Sequence, residues 1–339
     1  MEVMFMNSTG NLSRAYKGKR VLITGGLGML GSSLAHVLHS CGAKITLADA
    51  NILPYGANRF NVRDIIDKVD LQLCDIRYKD LITQLIRDKD YIFNFAGQVS
   101  HNDSMINPIL DAEINYLGHI NVLEACKEHN HDARIFFTGS RLQFGPIAYI
   151  PVDETHPMKP QTPYAVNKAA AEEYYMYCSR QHRMRTTCFR IANPYGPRSQ
   201  MMHSKYTILN WFLRQAMENK IIPIYGDGTQ VRDYIYIDDL VHALVLAGAN
   251  DKSIGQVYNV GSGQGTKFRD AVEIIIKIVG KGKIKNLPWP KDYLNVETGN
   301  YITDLTKIKS EIGFFPRTSL EHGLMKTYKF YKKYHAHYW

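Results

Sequence analysis

The chain has 339 residues, 45% of them hydrophobic and 22% charged, with a net charge of +9. Those proportions suit a globular protein with a sizeable core and exclude disordered, collagen-like and disulfide-knot chains. No apolar run approaches the ~18 residues of a membrane crossing. The basic residues form only short clusters at 17–20, 281–285 and 326–333, so neither a membrane nor a nucleic acid is expected as a partner. The opening residues lack a charged front followed by an apolar block, and no secretory signal is expected. Five cysteines, at 41, 74, 126, 178 and 188, are odd in number and form no C-x-x-C pair. That usage points to reduced thiols in a cytoplasmic protein and away from a zinc framework.

Residues 20–24 are a short apolar, β-branched run of the kind that makes a fully buried strand. A glycine cluster at 25–31, a helical stretch at 32–39 and a second strand at 44–49 follow. Strand-like segments recur at 70–74, 91–95, 134–138 and 185–191, with helix patterns between them, notably at 109–128 and 163–180. This alternation predicts an α/β fold, a doubly wound parallel sheet with helices on both faces. From about residue 194 the rhythm breaks into a loop, a helix at 208–219, a turn at 225–228, a helix at 238–249 and a strand at 256–260 returning to the main sheet. The expected division is a dinucleotide-binding domain of residues 1–193, joined by 234–262. The remainder, 194–233 and 263–339, is expected to form a smaller C-terminal α/β substrate domain.

Gly26, Gly28 and Gly31 satisfy G-x-G-x-x-G, and Gly25, Gly28 and Gly31 satisfy G-x-x-G-x-x-G, between the first strand and the first helix. Glycine there lets the backbone turn tightly and approach a pyrophosphate, while the helix N-terminus, at Met29 and Leu30, offers free N–H groups. Asp49 ends the second strand, where a carboxylate can accept both adenosine ribose hydroxyls and repel a 2′-phosphate. No arginine follows it, so NAD is expected rather than NADP. Asp75 follows the third strand, and Phe95, Ala96 and Gly97 follow the fourth, small enough for a dinucleotide to lie close over the strand ends. Tyr164 and Lys168 stand four apart on one helix face. An ammonium beside a phenol favours the phenolate, and a nicotinamide's positive charge does the same, so a lowered Tyr164 pKa is expected. Ser140, just after the fifth strand, is the third member.

With these residues in place, the sequence resembles the extended short-chain dehydrogenase/reductases, and among them the nucleotide-sugar epimerases and dehydratases, from about Lys19 to the C-terminal helix. The resemblance implies a Rossmann-like fold and NAD held by Gly25, Gly28, Met29, Leu30, Gly31, Asp49, Asp75, Ile76, Phe95, Ala96 and Gly97, with Tyr164 and Lys168. It implies a catalytic triad of Ser140, Tyr164 and Lys168 that begins by oxidising a sugar hydroxyl, usually at C4. The segment 190–196 is similar to the family's R-x-x-N-x-Y-G, which makes Asn193 a contact of the substrate diphosphate. The segment 226–233 is similar to one whose arginine grips the same diphosphate, here Arg232.

The family's 4,6-dehydratases carry Asp-Glu immediately after the serine or threonine, where this chain has Arg141-Leu142. Its decarboxylases keep a glutamate in the same stretch. With neither present, 4-epimerisation of a nucleotide-sugar is the expected reaction. The alternatives are 2-epimerisation, suggested by a likeness of Gly97-Gln98-Val99 to the CDP-sugar 2-epimerases, 4-keto-sugar reduction, 4,6-dehydration and a non-catalytic NAD sensor. The 2-epimerase likeness makes Gln98 and His101 candidate substrate contacts. Residues 288–292 depart from the family's nucleotide-contacting stretch and leave the base open. The resemblance also implies a homodimer built on the helices at 109–128 and 163–180. His335 and His337 read as an exposed tail, and no metal is expected.

Overall fold

The computed structural model describes residues 9–52, 55–290 and 296–339. The chain's first eight residues, and Lys291 and Asp292 of the departing stretch, lie outside the described residues. The strands are β1 (Arg20–Thr24), β2 (Lys44–Asp49), β3 (Asp70–Leu73), β4 (Tyr91–Asn94), β5 (Arg134–Ser140), β6 (Arg185–Ile191), β7 (Asn193–Tyr195), β8 (Ile221–Tyr225), β9 (Val231–Tyr236), β10 (Gln256–Val260), β11 (Gly265–Lys267) and β12 (Lys283–Leu287). Seven of them make one sheet in the order β3-β2-β1-β4-β5-β6-β10, and every neighbouring pair is parallel. The order reverses between β1 and β4, which opens a crevice beyond the strand ends.

Both faces of this sheet are covered, which is why its central strands read as unbroken apolar runs. Val21, Ile23, Phe93, Phe136 and Phe189 enter one core, and Leu22, Ile92, Ile135, Phe137 and Cys188 enter the other. The Phe93 and Phe136 rings stack at 4.5 Å across the sheet centre. The smaller sheets β11-β9-β7 and β12-β8, with the helices Ile208–Met217 and Phe268–Val279, build the C-terminal part.

Three features differ from the pattern read in the sequence. Residues before β1 form a helix, Thr9–Tyr16, pinned where the Tyr16 hydroxyl donates to the Val245 carbonyl at 2.9 Å. The helix expected at 109–128 contains one wider π-turn, Glu113–Leu117, between two α-helical parts. The C-terminal tail folds back onto the 3₁₀ turn Arg59–Val62, with the His337 ring stacked 3.6 Å from Phe60 and the buried Tyr338 hydroxyl donating to Asn61 at 2.6 Å, although His335 and His337 are exposed as expected. Among the described residues no helix is long and apolar enough to cross a membrane.

A buried ion pair ties the sheet to the helix Pro163–His182. The Arg190 guanidinium on β6 donates Nε to both Glu172 oxygens at 3.1 and 3.0 Å and Nη2 to one of them at 2.6 Å. The Gln143 amide donates to the same carboxylate at 2.8 Å and accepts the Ser140 N–H at 2.7 Å. Truncating Glu172 strands a buried guanidinium, and that loss costs about 3–5 kcal/mol. Denaturant titration of Glu172→Ala is therefore expected to show a stability loss of about that size, and a loss below about 1 kcal/mol contradicts the assignment.

Candidate active site

The crevice between β1 and β4 widens into a cavity of about 1300 Å³, and every site residue anticipated from the sequence lines it. The glycine loop forms its floor. Gly25 has φ +65°, and a Cβ there would lie 3.0 Å from the Ala96 nitrogen. A Cβ on Gly31 would lie 2.3 Å from the Gly25 carbonyl oxygen. These two glycines are required by the turn itself. Gly28 is different: a Cβ there meets only one atom, at 3.3 Å, so its bare backbone faces the cavity. No side chain caps the helix Met29–Ser40 that begins beside it, which leaves first-turn N–H groups for an anion.

Asp49 stands at the cavity's edge, its two oxygens accepting the Leu27 and Asn51 N–H groups at 2.9 and 2.8 Å. Burial raises its pKa and these two bonds pull it back. Asp75 is gripped by Arg77, whose Nε and Nη2 donate to it at 3.0 and 2.7 Å. Ile76, Phe95, Ala96 and Gly97 complete the wall. A pyrophosphate-sized cradle of bare backbone ending in a fixed carboxylate fits an adenine dinucleotide with a free ribose.

Tyr164 and Lys168 lie in the first turns of Pro163–His182, a helix started by Pro163 and by Thr162, whose hydroxyl accepts the Ala165 N–H at 3.3 Å. The Tyr164 backbone N–H is fixed by the Ser104 hydroxyl at 3.1 Å. Ser140, at the end of β5, stands beside its phenol. Burial nevertheless pushes the Tyr164 pKa up, the Ser140 hydroxyl offsets only part of this, and the Asp111 charge adds to the rise. The expected lowering is thus reversed in the chain alone, because desolvation of a phenolate outweighs its neighbours. Lys168 donates to the Thr138 carbonyl at 3.1 Å, and burial lowers its pKa to about 8 against the pull of Asp111.

At the far end of the cavity, Asn193 accepts the Arg141 Nε–H at 3.0 Å and donates to the Asp233 carbonyl at 2.8 Å. Arg232 donates to Glu297 and to the Val231 and Gly299 carbonyls at 3.0 and 2.9 Å. Gln98 lines the cavity, and its amide donates to the Ser100 carbonyl and accepts the Ser100 N–H, which braces its own loop. His101 lines the cavity, held below its ordinary pKa by burial and by Arg141.

Sequence reasoning missed Asp111, Asn115 and Glu297. The Asn115 amide donates to Asp111 at 2.8 Å and to the Gln98 carbonyl at 2.8 Å, and its oxygen is buried with no hydrogen-bond partner among the described residues. Both residues sit on a helix whose apolar stripe dominates its pattern, and Glu297 meets Arg232 only through tertiary folding.

Comparison with known proteins agrees with this geometry. Residues 21–261 match the model of the NAD dependent epimerase/dehydratase family. A putative UDP-glucose 4-epimerase of Methanocaldococcus jannaschii is 29% identical over 92% of this chain and 98% of its own. A CDP-paratose 2-epimerase of Salmonella typhi is 29% identical over 91% and 98%. The crystal structure of a Thermotoga maritima UDP-glucose 4-epimerase with UDP-glucose superposes with a TM-score of 0.84 at 27% identity, covering 93% of this chain and 99% of that one. The chain belongs to the NAD dependent epimerase/dehydratase family, and its cofactor is NAD. If Asp49 reads the ribose, the protein binds NAD more tightly than NADP, and Asp49→Ala weakens NAD and narrows the difference. Tighter binding of NADP than NAD by the unaltered protein, in a titration of the cofactor-free form, contradicts this role.

Proposed function

We propose that this member of the NAD dependent epimerase/dehydratase family is a nucleotide-sugar 4-epimerase working through transient oxidation at C4. The observation that carries the reading is the convergence of Ser140, Tyr164 and Lys168 beside the dinucleotide cradle, with Arg141 and Leu142, rather than carboxylates, following the serine. Nothing in that stretch can drive elimination of water. The similarity to proteins named UDP-glucose 4-epimerase supports the same reading.

When bound, NAD would supply the hydride acceptor and a positive charge that favours the phenolate against the burial raising its pKa. Tyr164 takes the C4 hydroxyl proton. Ser140 shares the hydrogen bond to the same sugar oxygen. Lys168 holds the nicotinamide ribose, Asp49 the adenosine ribose, and Asn193 with Arg232 the substrate diphosphate. The cavity leaves room for the ketone to turn its other face before the hydride comes back to C4 and Tyr164 returns the proton to its oxygen. The second reading, 2-epimerisation, draws on the similarity to the CDP-paratose 2-epimerase.

The reading includes a cytoplasmic homodimer. The five cysteines are all free. Ile109 is 70% exposed, Leu117 50% and Val166 49%, an apolar outer face on two neighbouring helices. Leu123, Ala125 and Tyr175 on the same helices are buried in the chain's own core. Exposed apolar surface of this kind calls for a partner. Light scattering at micromolar concentration should give twice the chain mass, and a monomer mass contradicts the dimer.

For the chemistry, Tyr164→Phe is expected to cut turnover by roughly 10²–10⁴ while leaving substrate binding near normal. Near-normal turnover of that variant removes Tyr164 from the mechanism.

A further inference from the structure

The position after the proposed proton-relay serine carries a guanidinium. Arg141 opens the helical turn Arg141–Phe144 directly after Ser140, and its side chain lies along the wall between that serine and the proposed diphosphate site. It is fixed from behind: Nε donates to Asn193 at 3.0 Å and Nη1 to the Thr298 hydroxyl at 2.9 Å. Both partners are neutral. Among the described residues no carboxylate comes within ion-pair distance of Arg141, whereas Arg232 beside it is paired with Glu297. Burial and the neighbouring Arg232 charge lower the Arg141 pKa only to about 10, so it remains a cation at neutral pH.

A second, independent feature stands on the same wall. Tyr234 is buried and lines the cavity, yet its hydroxyl has no hydrogen-bond partner among the described residues. An orphaned buried O–H costs roughly 1–3 kcal/mol unless something bound there accepts from it. An unpaired guanidinium and an idle phenol facing one cavity fit an anionic acceptor. The diphosphate meets Arg232 and Asn193 in the reading above, and Arg141 lies on the serine side of them, where the sugar ring sits.

We propose that Arg141 and Tyr234 form an anion subsite for a carboxylate carried by the sugar, so that the substrate class is a nucleotide-linked acidic hexose rather than a neutral one. This rests on the nucleotide-sugar reading and deepens it. The chemistry at C4 is unchanged and needs no further co-reactant.

The test uses the NAD-loaded protein and calorimetric binding. The nucleoside diphosphate bound most tightly among UDP, CDP, GDP and dTDP sets the nucleotide, and its hexose and hexuronate forms are then compared. The wild type is expected to bind the hexuronate form at least about 10-fold more tightly, the scale of a charge-assisted hydrogen bond. Arg141→Leu should abolish that preference and leave the neutral form within about 3-fold. Tyr234→Phe should reduce it by a smaller factor. Arg141→Lys should restore only part of it, having charge without the planar fork. A wild type that favours the neutral hexose overturns the subsite whatever the variants do. Equal weakening of both forms in Arg141→Leu also overturns it, by assigning Arg141 to the diphosphate. Failure to bind any nucleoside diphosphate would instead remove the nucleotide-sugar reading itself.

Discussion

The fork of Arg190 on Glu172 is the contact on which the reacting end of the molecule depends. Both side chains are withdrawn from water, 7% and 4% exposed, and a pair so buried persists only when nearly every donor and acceptor is met. Here Gln143 donates to the carboxylate, Arg190 also donates to the Glu154 carbonyl at 2.9 Å, and the guanidinium lies 5.0 Å over the Phe144 ring. Because Gln143 also holds the Ser140 N–H, the pair locks β5, β6 and the helix of Tyr164 and Lys168 into one unit. The spacing of the three proposed catalytic groups is therefore set by charges that touch no substrate.

The cofactor end is governed by backbone shape instead. Where β1 and β4 part, close approach of the glycine loop to Ala96 excludes any side chain at Gly25, and the uncapped helix start presents N–H groups. The two ends thus rely on different physics. One is steric permission for a pyrophosphate, and the other is a satisfied polar network around a hydroxyl and a phenol.

Much of this was legible in the sequence, for reasons visible in particular residues. The runs at 20–24, 44–49 and 185–191 coincide with strands because burial on both faces favours apolar and β-branched residues, leaving only Thr24, Thr46, Thr186, Thr187 and the paired Arg190 as buried polar side chains. The glycine loop, Asp49 and the Tyr164–Lys168 spacing were legible because each reflects a local backbone requirement. The partners of those residues were not. Glu172, Asp111 and Glu297 act across tertiary contacts, and no spacing announces them. The sign of the Tyr164 shift was misread because a sequence shows neighbouring charges but not the depth at which they are buried.

The central claim is reversible oxidation at C4 with return of the same hydrogen to the opposite face. It is tested most directly by incubating the NAD-loaded protein with nucleotide-hexoses deuterated at C4 and following the sugar by NMR. The account predicts the C4 epimer with deuterium retained and no net consumption of NAD. A product inverted at C2, a released 4-keto sugar that has lost water, or washout of the label would contradict it.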